Sequence, residues 1–168
     1  MYAQGAGGLY LYNTSYLSDA TKDDICREGL SPERVRACRR RYPRTYHDCV
    51  TKGLPMGRYL PVPLDVVRKI PVVAGSGAAE GDTVEVVVGL GGENAAAPSV
   101  SLNGIACTAE PVQTPNQATY GRDAKTKTVW HYPFAASVLK PGAGNTVEIG
   151  ALDGKPMLWW VETAVTPK

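Results

Sequence analysis

The sequence predicts a mainly β protein: an antiparallel two-sheet β-sandwich with a strand–helix appendage at its N-terminal end. Three observations carry this. From about residue 70 onward, apolar residues recur at every second position, the period of a strand with one buried face. The 168 residues hold 18 Gly and 13 Pro, which favours frequent turns between short strands. The two parts of the chain also differ in chemistry. Residues 1–70 hold 12 Lys and Arg against 7 Asp and Glu, a balance of +5, while residues 71–168 hold 6 against 9, a balance of −3. Seven of the nine Tyr precede residue 60, and all three Trp lie beyond residue 129. Two units are therefore expected, residues 1–60 and residues 61–168.

The first element is Gly7-Gly8-Leu9-Tyr10-Leu11-Tyr12-Asn13, a short apolar run of the kind found in buried strands of α/β sheets. Such a strand needs neighbours on both sides, so residues 1–60 are expected to be the remnant of an α/β unit. Thr14–Gly29 is polar and reads as a loop with a helical turn. Ser31-Pro32-Glu33 starts a helix, because Ser caps free amides and Pro is tolerated at the first helical position. This helix should run to about Arg41 and end near Pro43, since the residue before proline avoids the helical region. Residues 51–63 are rich in Pro and Gly and read as a connector.

The second unit is made of strands. Val84, Val86, Val88 and Leu90 alternate with Thr83, Glu85, Val87 and Gly89. Val147, Ile149 and Ala151 alternate with Thr146, Glu148 and Gly150. In the last strand, Met157, Trp159, Val161 and Val165 should share one face, with Leu158, Trp160, Glu162 and Ala164 on the other. Further strands are expected near residues 70–74, 99–103, 105–109 and 127–134. Asn103-Gly104 is a strong hairpin turn signal. Seven or so short strands over about 100 residues form a sandwich.

Composition narrows the partners. No apolar run approaches the roughly 20 residues that span a bilayer, so no membrane partner is expected. Residues 1–30 lack the basic and apolar segments of a leader, and the sequence assigns no compartment. Arg34, Arg36, Arg39, Arg40, Arg41 and Arg44 form a basic run. At helical spacing they spread around the axis, so a solvated or interface helix is expected and no nucleic acid. Cys26, Cys38, Cys49 and Cys107 lack the close pairs of a zinc site and read as free thiols. Gly89-Leu90-Gly91-Gly92 has no Lys or Ser after it and reads as a turn, not a phosphate loop. No metal and no cofactor is expected.

Two segments resemble known families. Gly5-Ala6-Gly7-Gly8-Leu9-Tyr10-Leu11-Tyr12-Asn13 resembles the final barrel strand of TIM-barrel glycoside-hydrolase-like proteins. Arg39-Arg40-Arg41-Tyr42-Pro43 and Leu60-Pro61-Val62-Pro63-Leu64 resemble the segments downstream of that strand in such proteins. Ser101-Leu102-Asn103-Gly104, Tyr132-Pro133, the stretch Leu139–Ile149 and Trp160-Val161-Glu162 are similar to galactose-binding-like or jelly-roll accessory domains of polysaccharide-degrading enzymes. The resemblance implies a jelly-roll-like sandwich related to carbohydrate-active enzymes. The carboxylate pair of glycoside hydrolysis carries over onto no position here.

Sugar sites stack pyranose rings on aromatics flanked by polar groups. Trp160 with Glu162 two residues on, and Tyr120, Arg122, Trp130 and His131 in or beside the long 109–127 connection, are the candidate carbohydrate-binding residues. The competing role is structural: Trp160 covered by the N-terminal helix, and Trp130 or Tyr132 filling the core. The leading expectation is a non-catalytic module that binds a glycan weakly or supports a barrel. A second is an assembly domain in which Leu9–Asn13 pairs with another copy to form a homodimer. A third is the tail of a glycosidase-like enzyme whose barrel lies elsewhere. Catalysis within the chain would use His131 with Cys107 or Cys49.

Overall fold

A computed structural model describes residues 32–45, 60–75, 77–92, 95–115 and 126–168. Among these residues the elements are one short helix, α1 (Pro32–Ala37), and ten strands. The strands are β1 (Arg40–Thr45), β2 (Val62–Pro63), β3 (Arg68–Ala74), β4 (Thr83–Leu90) and β5 (Val100–Leu102). They continue with β6 (Ile105–Ala106), β7 (Val112–Pro115), β8 (Thr128–Ala135), β9 (Gly142–Ile149) and β10 (Met157–Thr166).

The strands form two antiparallel sheets. One has the order β1-β10-β4-β8-β7, with β2 also paired to β10, and the other runs β3-β9-β5-β6. The chain passes repeatedly from one sheet to the other and so wraps the core in a jelly-roll-like way. The inner faces meet in one core. Val84, Val86, Val88, Leu90, Leu158, Val161 and Val165 come from the larger sheet, and Ile70, Val72, Val100, Leu102, Val147 and Ile149 from the smaller. Each is at most 4% exposed, and burying such a side chain stabilises the fold by roughly 1.5–3 kcal/mol.

Most expected strands are present. The 70–74, 99–103, 105–109 and 127–134 segments correspond to β3, β5, β6 and β8. Asn103 and Gly104 have φ of 54° and 83°, the double positive φ of a tight hairpin turn. This hairpin is tied to a second turn. Asn103 Nδ2 donates to Asn145 Oδ1 at 2.8 Å, and Asn103 Oδ1 accepts from the Thr146 amide at 2.9 Å. Asn145, 1% exposed, also accepts from the Lys140 amide and donates to the Lys140 carbonyl. The Asn103-Gly104 and Leu139–Ile149 motifs, far apart in sequence, are one hydrogen-bonded unit.

Two expectations need correction. The helix ends at Ala37, and Arg40–Thr45 is not its last turn but an edge strand paired with β10 from Arg40↔Val165 to Thr45↔Trp160. Pairing over six positions overrides a weak helix preference. Pro43 is tolerated because β1 lies at the sheet edge, where one side of the strand needs no amide. Likewise Pro71 lies in the edge strand β3, and Pro133 lies in β8 beyond the end of its pairing with β7.

The second correction is the phase of β10. A register shift between Leu158 and Trp160 is a bulge, and a bulge moves the alternation by one residue. Leu158, 0% exposed, therefore joins Val161 and Val165 in the core, while Trp159 does not share their face at full burial. Downstream of the bulge the expected outward set of Trp160, Glu162 and Ala164 holds.

Leu9–Asn13, the connector residues 51–59, Cys26 and Cys49 lie outside the described residues. Cys38 and Cys107 are thiols.

Candidate functional site

The outer face of the larger sheet collects the polar chemistry. Its register lays Pro43, Glu162, Val87, His131 and Val112 in one row. Trp160, Gly89, Val129 and Thr114 form the next row. On the other side lie Arg41, Ala164, Glu85 and Pro133. Period two puts these residues on one side, and neighbours two positions out of register still lie within reach of long side chains.

Trp160 and Glu162 are brought together, as the sequence suggests, but not as an open sugar contact. Trp160 Nε1 donates to Glu162 Oε2 at 3.1 Å. Glu162 is fully buried. Arg41 grips it with two parallel bonds, Nε to Oε1 and the terminal nitrogen to Oε2, both 2.6 Å. This planar two-point geometry is the strong form of a carboxylate–guanidinium pair. Glu162 thus orients Trp160 and Arg41 instead of facing solvent. The half-buried Trp160 packs against Val87 and Val129, both fully buried.

Gly89 makes room for the base of the Trp160 side chain. A Cβ at Gly89 would stand 2.8 Å from both Trp160 Cβ and Thr126 Cγ2. The strand carries glycine where a neighbouring side chain crosses it. Gly89 therefore belongs to β4, and only Gly91-Gly92 come after it outside the strand.

A second cluster lies across β7, β8 and β4. His131 Nε2 is 2.9 Å from Thr114 Oγ1, and His131 Nδ1 is 3.6 Å from Glu85 Oε2. Arg39 donates to the same Glu85 oxygen at 3.1 Å. The Glu85 carboxyl is held below its ordinary value of 4.5, with the His131 ring as the main cause; burial opposes this and Arg39 adds to it.

Trp130 points the other way. It packs against the core, and its Nε1 donates to the Ala95 carbonyl at 3.0 Å. Tyr120 and Arg122 lie outside the described residues. Cys107 does not serve His131: its thiol meets the Pro133 carbonyl at 3.3 Å, while the imidazole meets Thr114 and Glu85. Among the described residues no group of three or more His, Cys, Asp or Glu is placed to hold a metal.

Four arginines of the basic run are engaged within the fold. Arg39, Arg40 and Arg41 reach Glu85, Asp82 and Glu162 in turn, and Arg44 donates to the Pro71 carbonyl. Asp82 is held below its ordinary value of 3.8, first by the Ala79 amide and then by Arg40. Arg41, Glu85 and Thr114 escape a reading of the sequence as site residues. Their partners are distant in the chain, and only the strand register makes them neighbours.

Comparison with known proteins adds no assignment: no family model and no curated protein matches this sequence.

Proposed function

We propose that this sandwich is an accessory module of the kind joined to polysaccharide-degrading enzymes, non-catalytic toward glycosidic bonds, and that it holds a glycan on the outer face of its larger sheet. The observation that supports this reading is the tethered Trp160. Its N–H is bonded to a carboxylate that Arg41 in turn holds, so the ring is fixed before any ligand arrives. A fixed aromatic stacks on a sugar at little entropic cost. Arg41, 31% exposed at its side chain, supplies donors beside the ring for sugar hydroxyls. Glu162 acts behind the platform.

Affinity electrophoresis of the purified chain through gels containing plant, algal and microbial polysaccharides tests this. Retardation by at least one polysaccharide, lost in Trp160→Ala, is the expected result. Equal mobility in every gel, or retardation unchanged by Trp160→Ala, overturns it.

A further inference from the structure

Thr114, His131 and Glu85 occupy three adjacent strands of one sheet, on one face. Their order is that of a hydroxyl, a base and a group that orients the base. Thr114 Oγ1 lies 2.9 Å from His131 Nε2, and Glu85 lies on the Nδ1 side at 3.6 Å. Arg39 fixes the Glu85 oxygen at 3.1 Å. A carboxylate on the Nδ1 side favours the tautomer protonated there, which leaves Nε2 as the acceptor facing the hydroxyl. Thr114 is half-buried on β7, an edge strand whose Val112 is 59% exposed.

We propose that these three residues form a hydrolytic relay for short acyl esters, with Thr114 as nucleophile. Thr114 Oγ1 attacks the ester carbonyl carbon, and its proton passes to His131 Nε2. The bond to the leaving alcohol breaks, and His131 returns the proton to the departing oxygen. Water then attacks the acyl-threonine, again giving its proton to His131. The Thr114–acyl bond breaks, and the proton restores the Thr114 hydroxyl as the carboxylic acid leaves. Glu85 is a positioning residue that holds the imidazole. Base assistance of this kind accelerates the step on the order of 10²–10⁴-fold. The activity is separate from glycan binding and stands without it.

The test uses p-nitrophenyl acetate with the intact chain near pH 8, then acid quench and peptide mapping. The expected result is turnover above buffer with one acetyl group on Thr114. Thr114→Val, which keeps shape and strand preference, should lose that label and lower the rate by roughly tenfold or more. Thr114→Ser should keep both label and rate. Glu85→Gln should lower the rate while the label stays on Thr114. Circular dichroism reports whether each variant is folded; if Thr114→Val is not, the Thr114→Ser and Glu85→Gln results decide. Acetyl found on His131 or on lysines with Thr114 unlabelled, a wild-type rate in Thr114→Val, or no turnover above buffer overturns the proposal.

Discussion

The two faces of the larger sheet are built from the same strands by different physics. The inner face is mostly apolar: Val84, Val86, Val88, Leu158, Val161 and Val165 meet the smaller sheet in one core, with Thr163 the fully buried polar residue among them. The outer face is a mosaic, in which fully buried Val87 and Val129 sit beside a fully buried carboxylate, Glu162. The inner face is held chiefly by shape and hydrophobicity, both of which tolerate conservative change. The outer face depends on specific partners, because an ionised group removed from water must be paired. Specific pairing is also what binding and catalysis use, and Trp160, Glu162 and His131 lie there, while Trp130 faces the core.

The largest effect should come from the inner face. Leu158→Ala removes a side chain that is 0% exposed and leaves a cavity, at a cost of about 4 kcal/mol. Urea denaturation measures it. Trp159→Ala should cost clearly less, because the bulge turns Trp159 out of the core-facing set. Equal losses at the two positions would mean that the strand runs without the bulge.

Arg41→Ala is next and attacks the outer face. It strips Glu162 of its bidentate partner and leaves a buried carboxylate with the Trp160 N–H. Removing one partner of a fully buried pair costs about 3–5 kcal/mol. Arg41 is 31% exposed, so water replaces part of the loss and about 2–3 kcal/mol is expected. The double variant Arg41→Ala, Glu162→Gln should recover some stability, since it removes the orphaned charge. A double variant no more stable than Arg41→Ala alone would show that the charge is not what matters.

Gly89→Ala tests the join between the faces. The added methyl meets Trp160 and Thr126 at 2.8 Å, so one of them must move. Overpacking of this kind costs about 1–3 kcal/mol. Tryptophan fluorescence should shift as Trp160 leaves its seat. An unchanged spectrum together with wild-type stability would mean that Trp160 and Thr126 do not crowd Gly89.

The contrast between the faces also explains what the sequence reveals. Val84, Val86, Val88 and Leu90 announce the inner face because periodicity is a local property. Asn103-Gly104 announces its turn for the same reason. The bulge at Leu158 leaves no local trace, since either phase of Met-Leu-Trp-Trp-Val places large apolar residues inside. β1 reads as helix because Arg39-Arg40-Arg41 suits a helix as well as a strand; its partner strand, β10, lies far along the chain and decides the matter. The charge imbalance between the two parts of the chain is visible in the sequence. Its meaning appears only once Arg39, Arg40 and Arg41 are seen against Glu85, Asp82 and Glu162. His131 stands out as one of two histidines, but Thr114 and Glu85 join it only through the β7-β8-β4 register.

The smallest effect concerns Glu85, at the rim of the outer face. Its carboxyl is held below the ordinary 4.5 by His131 and Arg39, so the folded state binds this proton less readily than the unfolded chain does. The resulting stability is present above about pH 4.5 and is lost as pH falls through the lowered folded value. Glu85 is 36% exposed and Arg39 is 40% exposed at their side chains, so solvent screens the interaction and its worth is below about 1 kcal/mol. Glu85→Gln should therefore lower the melting temperature slightly at neutral pH, where wild type carries the charge. The difference should shrink toward zero as pH falls through the lowered folded value, where Glu85 in wild type becomes protonated as well. Asp82, lowered by the Ala79 amide and Arg40, is unchanged by the substitution and titrates in both proteins, so it cancels in the comparison. Thermal melts of the two proteins across the acid range measure this. A difference that stays constant across that range would show that Glu85 supports the sheet by packing, and that its charge, unlike that of Glu162, does not matter.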